Sequence, residues 1–139
     1  LPVCSSGQAI GYDGGWGCIP ASAGKAYLPL AANGVLTNST ATVVGGAWID
    51  FSQYSTLTCR FEFSGSTTDT NAVLSAQLYD LTDLDGGTPL SVSSLATLKA
   101  VSGTLSLPQT GKQYEVRAWL ADAGPTSTGN LLTAMIRCE

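Results

Sequence analysis

Asp80, Asp83 and Asp85 lie close together just ahead of Gly86-Gly87. Three carboxylates crowded into one turn could accept hydrogen bonds from a hydroxyl-rich ligand or hold a hard cation. A calcium loop of the EF-hand kind needs a fuller ligand series and a closing glutamate. The stretch has neither, so it reads as a solvated turn and no metal is assigned. Asp83, Asp85 and Asp122 could also furnish the paired carboxylates of a glycoside hydrolase, but nothing in the sequence sets their separation or raises the pKa of one of them. The chain contains no histidine, which removes the commonest general base and metal ligand, and with them Ser-His-Asp, Cys-His and His-zinc centres. The expectation is a protein that is not an enzyme, has no catalytic residue and uses no cofactor.

The four cysteines are too widely spaced for the close pairs of a Cys4 metal site and read as two disulfides. Residues 4–18 form a small hairpin, with Ala9 to Tyr12 as one strand, Asp13-Gly14-Gly15 as the turn and Trp16 to Cys18 as the return. That brings Cys4 and Cys18 together, and the bridge stabilises the module by about 3 kcal/mol on the loop-entropy model. Cys59 and Cys138 both fall on the core-facing register of their strands, so a bridge between them needs no side chain to change face. It closes a much longer loop, worth about 4 to 5 kcal/mol. Two buried free thiols are the alternative for this pair. Disulfides place the chain in an oxidising compartment, exported to the cell surface or beyond.

These residues need elements to hold them. At 139 residues the chain is one domain with a short appendage. Charged residues are only 12% of it, and Ser, Thr and Gly have taken their place, a composition that favours strands and tight turns over helices. From residue 41 the apolar period is two. Leu57, Cys59, Phe61 and Phe63 share a face, as do Leu74, Ala76 and Leu78, then Tyr114, Val116, Ala118 and Leu120, and finally Leu132, Ala134, Ile136 and Cys138. With less regular strands at Thr42 to Phe51 and Lys99 to Leu107, six strands separated by Gly- and Pro-bearing turns predict an all-β, antiparallel β-sandwich or jelly roll over 41–139. Residues 1–40 read as the disulfide hairpin and a connector with at most a short strand near Tyr27 to Leu30. Net charge is −4 with no basic run, so nucleic acid and anionic membranes have no electrostatic footprint. No apolar run approaches the roughly 20 residues of a membrane span, and the opening Leu1-Pro2 reads as that of a soluble mature chain.

Trp119, Leu131 and Met135 alternate with core residues and share the presumed outer face with Arg60, Glu62, Glu115, Arg117 and Arg137. Solvated cross-strand ion pairs with scattered apolar residues would account for this. So would a subunit interface mixing aromatic, Met and Arg–carboxylate contacts, formed by Trp119, Met135, Leu131 and Arg117. A trimer would also explain how a hairpin too small to bury a core survives. Trp16 is expected to pack over its own disulfide.

The motif Cys4-x-x-Gly-Gln-x-Ile-x-Tyr-Asp-Gly-Gly-Trp-x-Cys18 resembles the small modules that link stalk to head in trimeric bacterial and phage-derived fibre proteins. Gln77-Leu-Tyr-Asp80 and Gly111-Lys-Gln-Tyr-Glu-Val-Arg117 resemble the jelly-roll heads of such fibres, in particular the tips of the mosaic adhesive trimers of predatory Bdellovibrio-type bacteria. The resemblance implies a homotrimeric fibre tip, an adhesin for a cell-envelope glycan or similar surface ligand on a target cell. A knob that only caps and registers the trimer is the alternative. The tips vary, so no ligand-binding residue carries over.

If the stalk enters at residues 1–40 and neighbouring strands are antiparallel, every second loop is distal. Counting reversals puts Ser52 to Tyr54, Leu81 to Leu95 and Asp122 to Asn130 at the far end, with Ser64 to Thr70 and Pro108 to Lys112 facing the stalk. A fibre meets its target tip-first, which makes Tyr54, Asp83, Asp85, Asp122 and Asn130 the expected ligand surface. Ordinary solvated turns are the competing reading.

Overall fold

In the chain from residue 26 onward, apolar and polar residues alternate along the longer strands, which bury one face, and two sheets stack to enclose the core. The computed structural model describes residues 3–4, 8–12, 15–20, 25–106 and 110–139. Strands β1 (Gln8–Tyr12) and β2 (Trp16–Pro20) form the N-terminal hairpin, with Tyr12 opposite Trp16, and a Cys4–Cys18 disulfide closes it. The expected turn at Asp13-Gly14, the Trp16 side chain and the Pro108-Gln109 turn lie outside the described residues.

The sandwich contains β3 (Ala26–Leu36), β4 (Thr42–Asp50), β5 (Cys59–Thr67), β6 (Val73–Asp80), β7 (Asp85–Gly86), β8 (Leu90–Val92), β9 (Leu98–Val101), β10 (Gly111–Ala121) and β11 (Gly129–Cys138). One sheet runs β4-β10-β6, with β7 and β8 both paired to β6, and the other runs β3-β11-β5-β9. All pairings are antiparallel. Phe51, Phe61, Phe63, Leu74, Val116, Leu120, Leu131 and Ile136 fill the space between the sheets. The Cys59–Cys138 disulfide joins paired residues of β5 and β11 inside this core. Among the described residues no helix is long and apolar enough to cross a membrane.

Three sequence expectations are corrected. The connector assigned to residues 19–40 contains the full strand β3, which pairs along its length with β11. Its Ala31-Ala32-Asn33-Gly34 stretch hides the alternation, and Pro29 is accommodated because β3 is an edge strand. The strand expected over Lys99 to Leu107 ends at Val101. In β11 the register against β5 shifts between Leu131 and Thr133. This bulge turns Leu131 into the core at 1% exposure and Leu132 out at 50%, so Leu131 cannot line a subunit interface and Leu132 is not a core residue.

Candidate functional site

The pairings fix which loops share an end. Asp50 is opposite Gly111, Asp80 is opposite Tyr114, and Ala26 and Cys59 both flank Cys138. Chain entry into the sandwich, residues 51–58, the 81–89 hairpin and residues 102–106 therefore gather at one end. Residues 37–41, 68–72 and 122–128 gather at the other, tied by hydrogen bonds from Leu120 N to the Asn38 carbonyl and from Thr68 N to the Thr128 carbonyl.

The expected ligand surface is thus divided. Tyr54, Asp83 and Asp85 stand at the entry end, while Asp122 and Asn130 stand at the far end. The count of reversals missed β3, which moves chain entry to the end opposite the one assumed. It also missed β8, which adds one reversal after the 81–89 hairpin and sends the 122–128 loop to the opposite end. Tyr54 packs partly against the core. Asp122, at φ 54°, flanks a shallow concavity with Asn38, Leu120 and Pro125. Asn130 is exposed within β11 and does not line it. The expected interface residues also separate. Trp119 and Arg117 project from the outer face of the β4-β10-β6 sheet and Met135 from that of the β3-β11-β5 sheet, on opposite sides of the sandwich.

At the entry end, Leu78, Asp80, Asp83, Asp85, Ser106 and Tyr114 line a mouth of about 390 Å3. The hairpin that brings the carboxylates is pinned to β10. Leu81 N donates to the Gln113 carbonyl, Gln113 N to Thr82 Oγ1, and Lys112 Nζ to Asp83 Oδ2 at 2.5 Å. Asp80 Oδ1 accepts the backbone N–H of Thr82 and of Asp83 at 2.9 and 3.0 Å. The hydrogen bond from Lys112 holds the Asp83 carboxyl below its ordinary pKa, and Asp83 in turn raises that of Lys112. Burial, followed by the Asp80 and Asp83 charges, pushes the Tyr114 phenol up to about 12. The phenol is therefore a hydrogen-bond donor throughout the physiological range. An apolar groove of about 380 Å3, walled by Phe61, Leu90, Val101 and Leu105, adjoins the mouth and shares Leu78 and Gly87 with it.

A second feature stands on the outer face of the β4-β10-β6 sheet. Trp48 sits between the core residues Ala47 and Ile49, so alternation turns its indole outward, where it is 64% exposed. Even an alanine Cβ at Gly111 would overlap Cζ2, Cη2 and Cε2 of the ring. The indole therefore lies over the backbone of β10 in the space a side chain would take. Gln113 is opposite Trp48, and Gly46, two residues before it on the same face, has no side chain to cover it. Further along the face Arg117 pairs with Glu115 at 2.6 Å and stacks on Tyr79, 3.5 Å from its centroid. Trp48 was not singled out in the sequence, although its place between two inward residues marks it as an outward aromatic.

No protein-family model and no curated protein sequence matches the chain. Among solved structures it is similar to the CBM36-1 domain, a carbohydrate-binding module, of a multidomain xylanase from the hindgut metagenome of Trinervitermes trinervoides. The TM-score is 0.54 at 8% identity, over 84% of this chain and 97% of that one. It is also similar to a chain of the infectious bursal disease virus Gx strain, with TM-score 0.52 at 13% identity over 94% of this chain and 37% of that one. The VP2 subviral particle of the same virus gives TM-score 0.50 at 14% identity, over 99% and 41% of the two chains. The chain spans about two fifths of the viral chains. At these identities the likeness shows the fold: an all-β antiparallel sandwich with jelly-roll relatives.

Proposed function

We propose that the protein is a non-catalytic recognition head that binds glycan, exported and displayed as the tip of a trimeric surface fibre. The observation that carries the glycan reading is Trp48, a wide and exposed aromatic surface packed over Gly111 with hydrogen-bonding side chains beside it. Sugars present apolar C–H faces to aromatic rings and hydroxyls to polar neighbours. Packing over Gly111 restricts the ring before a ligand arrives, which lowers the entropy lost on binding. The likeness to a carbohydrate-binding module and to a viral particle protein, neither of them a catalytic fold, supports a binding rather than an enzymatic role. Two disulfides support residence in an oxidising compartment.

The trimer and the adhesive role rest on the resemblance to fibre tips and on the outer faces of the sandwich. Trp119 and Arg117 toward the far end of one face and Met135 on the other suit a heterologous ring in which that part of one subunit's first face meets its neighbour's second and leaves Trp48, nearer the entry end, uncovered. In that arrangement the hairpin of β1 and β2 is the stalk-proximal part and the sandwich from β3 onward the head. A polysaccharide array including xylan and cell-envelope glycans, read beside the mass in solution, tests the proposal. The expected result is a trimer that binds at least one glycan and loses that binding on Trp48→Ala. A monomer binding no glycan would overturn it, and a trimer binding none would favour the capping knob.

A further inference from the structure

The mouth at the entry end has a charge balance that a neutral sugar does not need. Asp80, Asp83 and Asp85 line it, and among the described residues only Lys112 pairs with one of them. The Asp85 side chain makes no hydrogen bond or ion pair among these residues, and one oxygen of the Asp80 carboxylate is likewise left open by its two backbone donors. An independent feature marks the same place. Tyr114 is only 6% exposed and packs edge-on against Phe51 at 5.5 Å, yet its hydroxyl has no hydrogen-bond partner among the described residues. The ring is buried but its hydroxyl is not sealed off from solvent; it belongs to a wall of the mouth, free to meet a ligand, and lies near enough to Asp80 and Asp83 to feel both charges.

From these observations we infer that the mouth is a second binding site, distinct from the Trp48 surface, that takes a protonated amine carried on a hydroxyl-rich ring: an amino sugar with a free ammonium group. Asp85 and the open oxygen of Asp80 receive the ammonium through charge-assisted hydrogen bonds. Tyr114 and Ser106 meet the ring hydroxyls, and Leu78 supplies an apolar floor for its C–H face. A lysine side chain shares the ammonium, but it would leave the Tyr114 and Ser106 hydroxyls without partners, so the polar walls favour the sugar. The inference rests on the glycan reading for its choice of ligand class and on the mouth alone for its charge preference.

Calorimetric titration with a glucosamine hexasaccharide, its fully N-acetylated counterpart and pentalysine tests the site on the intact chain. The free-amine hexamer is expected to bind about tenfold or more tightly than the acetylated one, because acetylation removes a charged hydrogen-bond donor. Asp85→Asn should weaken the free-amine hexamer about tenfold, and Tyr114→Phe, which deletes only the hydroxyl, should weaken it severalfold. Both variants should leave Trp48-dependent binding of neutral glycans unchanged. Equal binding of the two hexamers, indifference to both substitutions, or pentalysine binding as tightly as the amino sugar would overturn the inference. Binding of neutral glycans through Trp48 with no free-amine preference would overturn it while leaving the glycan reading intact.

Discussion

Arg137 Nη2 holds Glu62 Oε1 at 2.9 Å on the outer face of the β3-β11-β5-β9 sheet, yet Glu62 is only 5% exposed. Lys99 Nζ approaches its other oxygen at 4.0 Å, and the Arg137 guanidinium also lies over the Tyr27 ring. A carboxylate this well covered is costly to leave unpaired, and so is the cation it balances.

Removing one partner should therefore cost more than removing both. Because Arg137 is one-third exposed, the cost of Glu62→Ala is expected at about 1–3 kcal/mol, below that of a fully buried pair. In a double-mutant cycle with Arg137→Ala by urea denaturation, the double variant should be more stable than the two single losses summed. Strict additivity would show that the pair contributes nothing.

Much of this architecture is readable from alternation. Phe61 and Phe63, Leu74 to Leu78, and Tyr114 to Leu120 keep a strict period of two between one buried and one outer face, so their strands and the disulfide they position are visible in the sequence. Period two becomes misleading at a bulge, as Leu131 and Leu132 show, and it cannot register strands as short as Leu90–Val92. Loop placement depends on the parity of the strand count, so missing one short strand exchanges the ends of the molecule. That is why Asp83 and Asp122 seemed to share a surface. The sheet assignments of β10 and β11 were equally hidden, because the chain crosses between sheets at most connections and sequence neighbours are seldom hydrogen-bonded neighbours.

The Asp83–Lys112 pair gives a pH dependence whose sign is fixed. The folded-state pKa of Asp83 is lowered, so its share of stability is present above its unfolded value and lost as pH falls through the folded one. That of Lys112 is raised, so its share is present below its unfolded value and lost as pH rises through the folded one. The pair is complete across the neutral range between. Carboxyl-carbon NMR titration should show the Asp83 midpoint below that of a free aspartate and returning toward it in Lys112→Met. A midpoint indifferent to that substitution contradicts the pairing.

Leu84, in the turn between β6 and β7, has φ 55° and a side chain exposed to 72%. A left-handed conformation costs a non-glycine residue about 1–2 kcal/mol, and an exposed leucine regains little of that through burial. Leu84→Gly should raise stability by about 1 kcal/mol once the greater freedom of glycine in the unfolded chain is subtracted. Chemical denaturation with an unchanged m-value checks this, and a loss of stability contradicts it.

The glycan reading turns on whether ligand meets the exposed indole of Trp48. The chain has three tryptophans, and each contributes one indole N–H signal to a nitrogen–proton correlation spectrum. Titrating a glycan identified on the array should shift the Trp48 signal in a saturable way, with a midpoint matching the calorimetric affinity, while the Trp119 signal stays in place. Saturable binding with the Trp48 signal unmoved would contradict the account, as would a Trp48 shift that follows protein concentration instead of glycan.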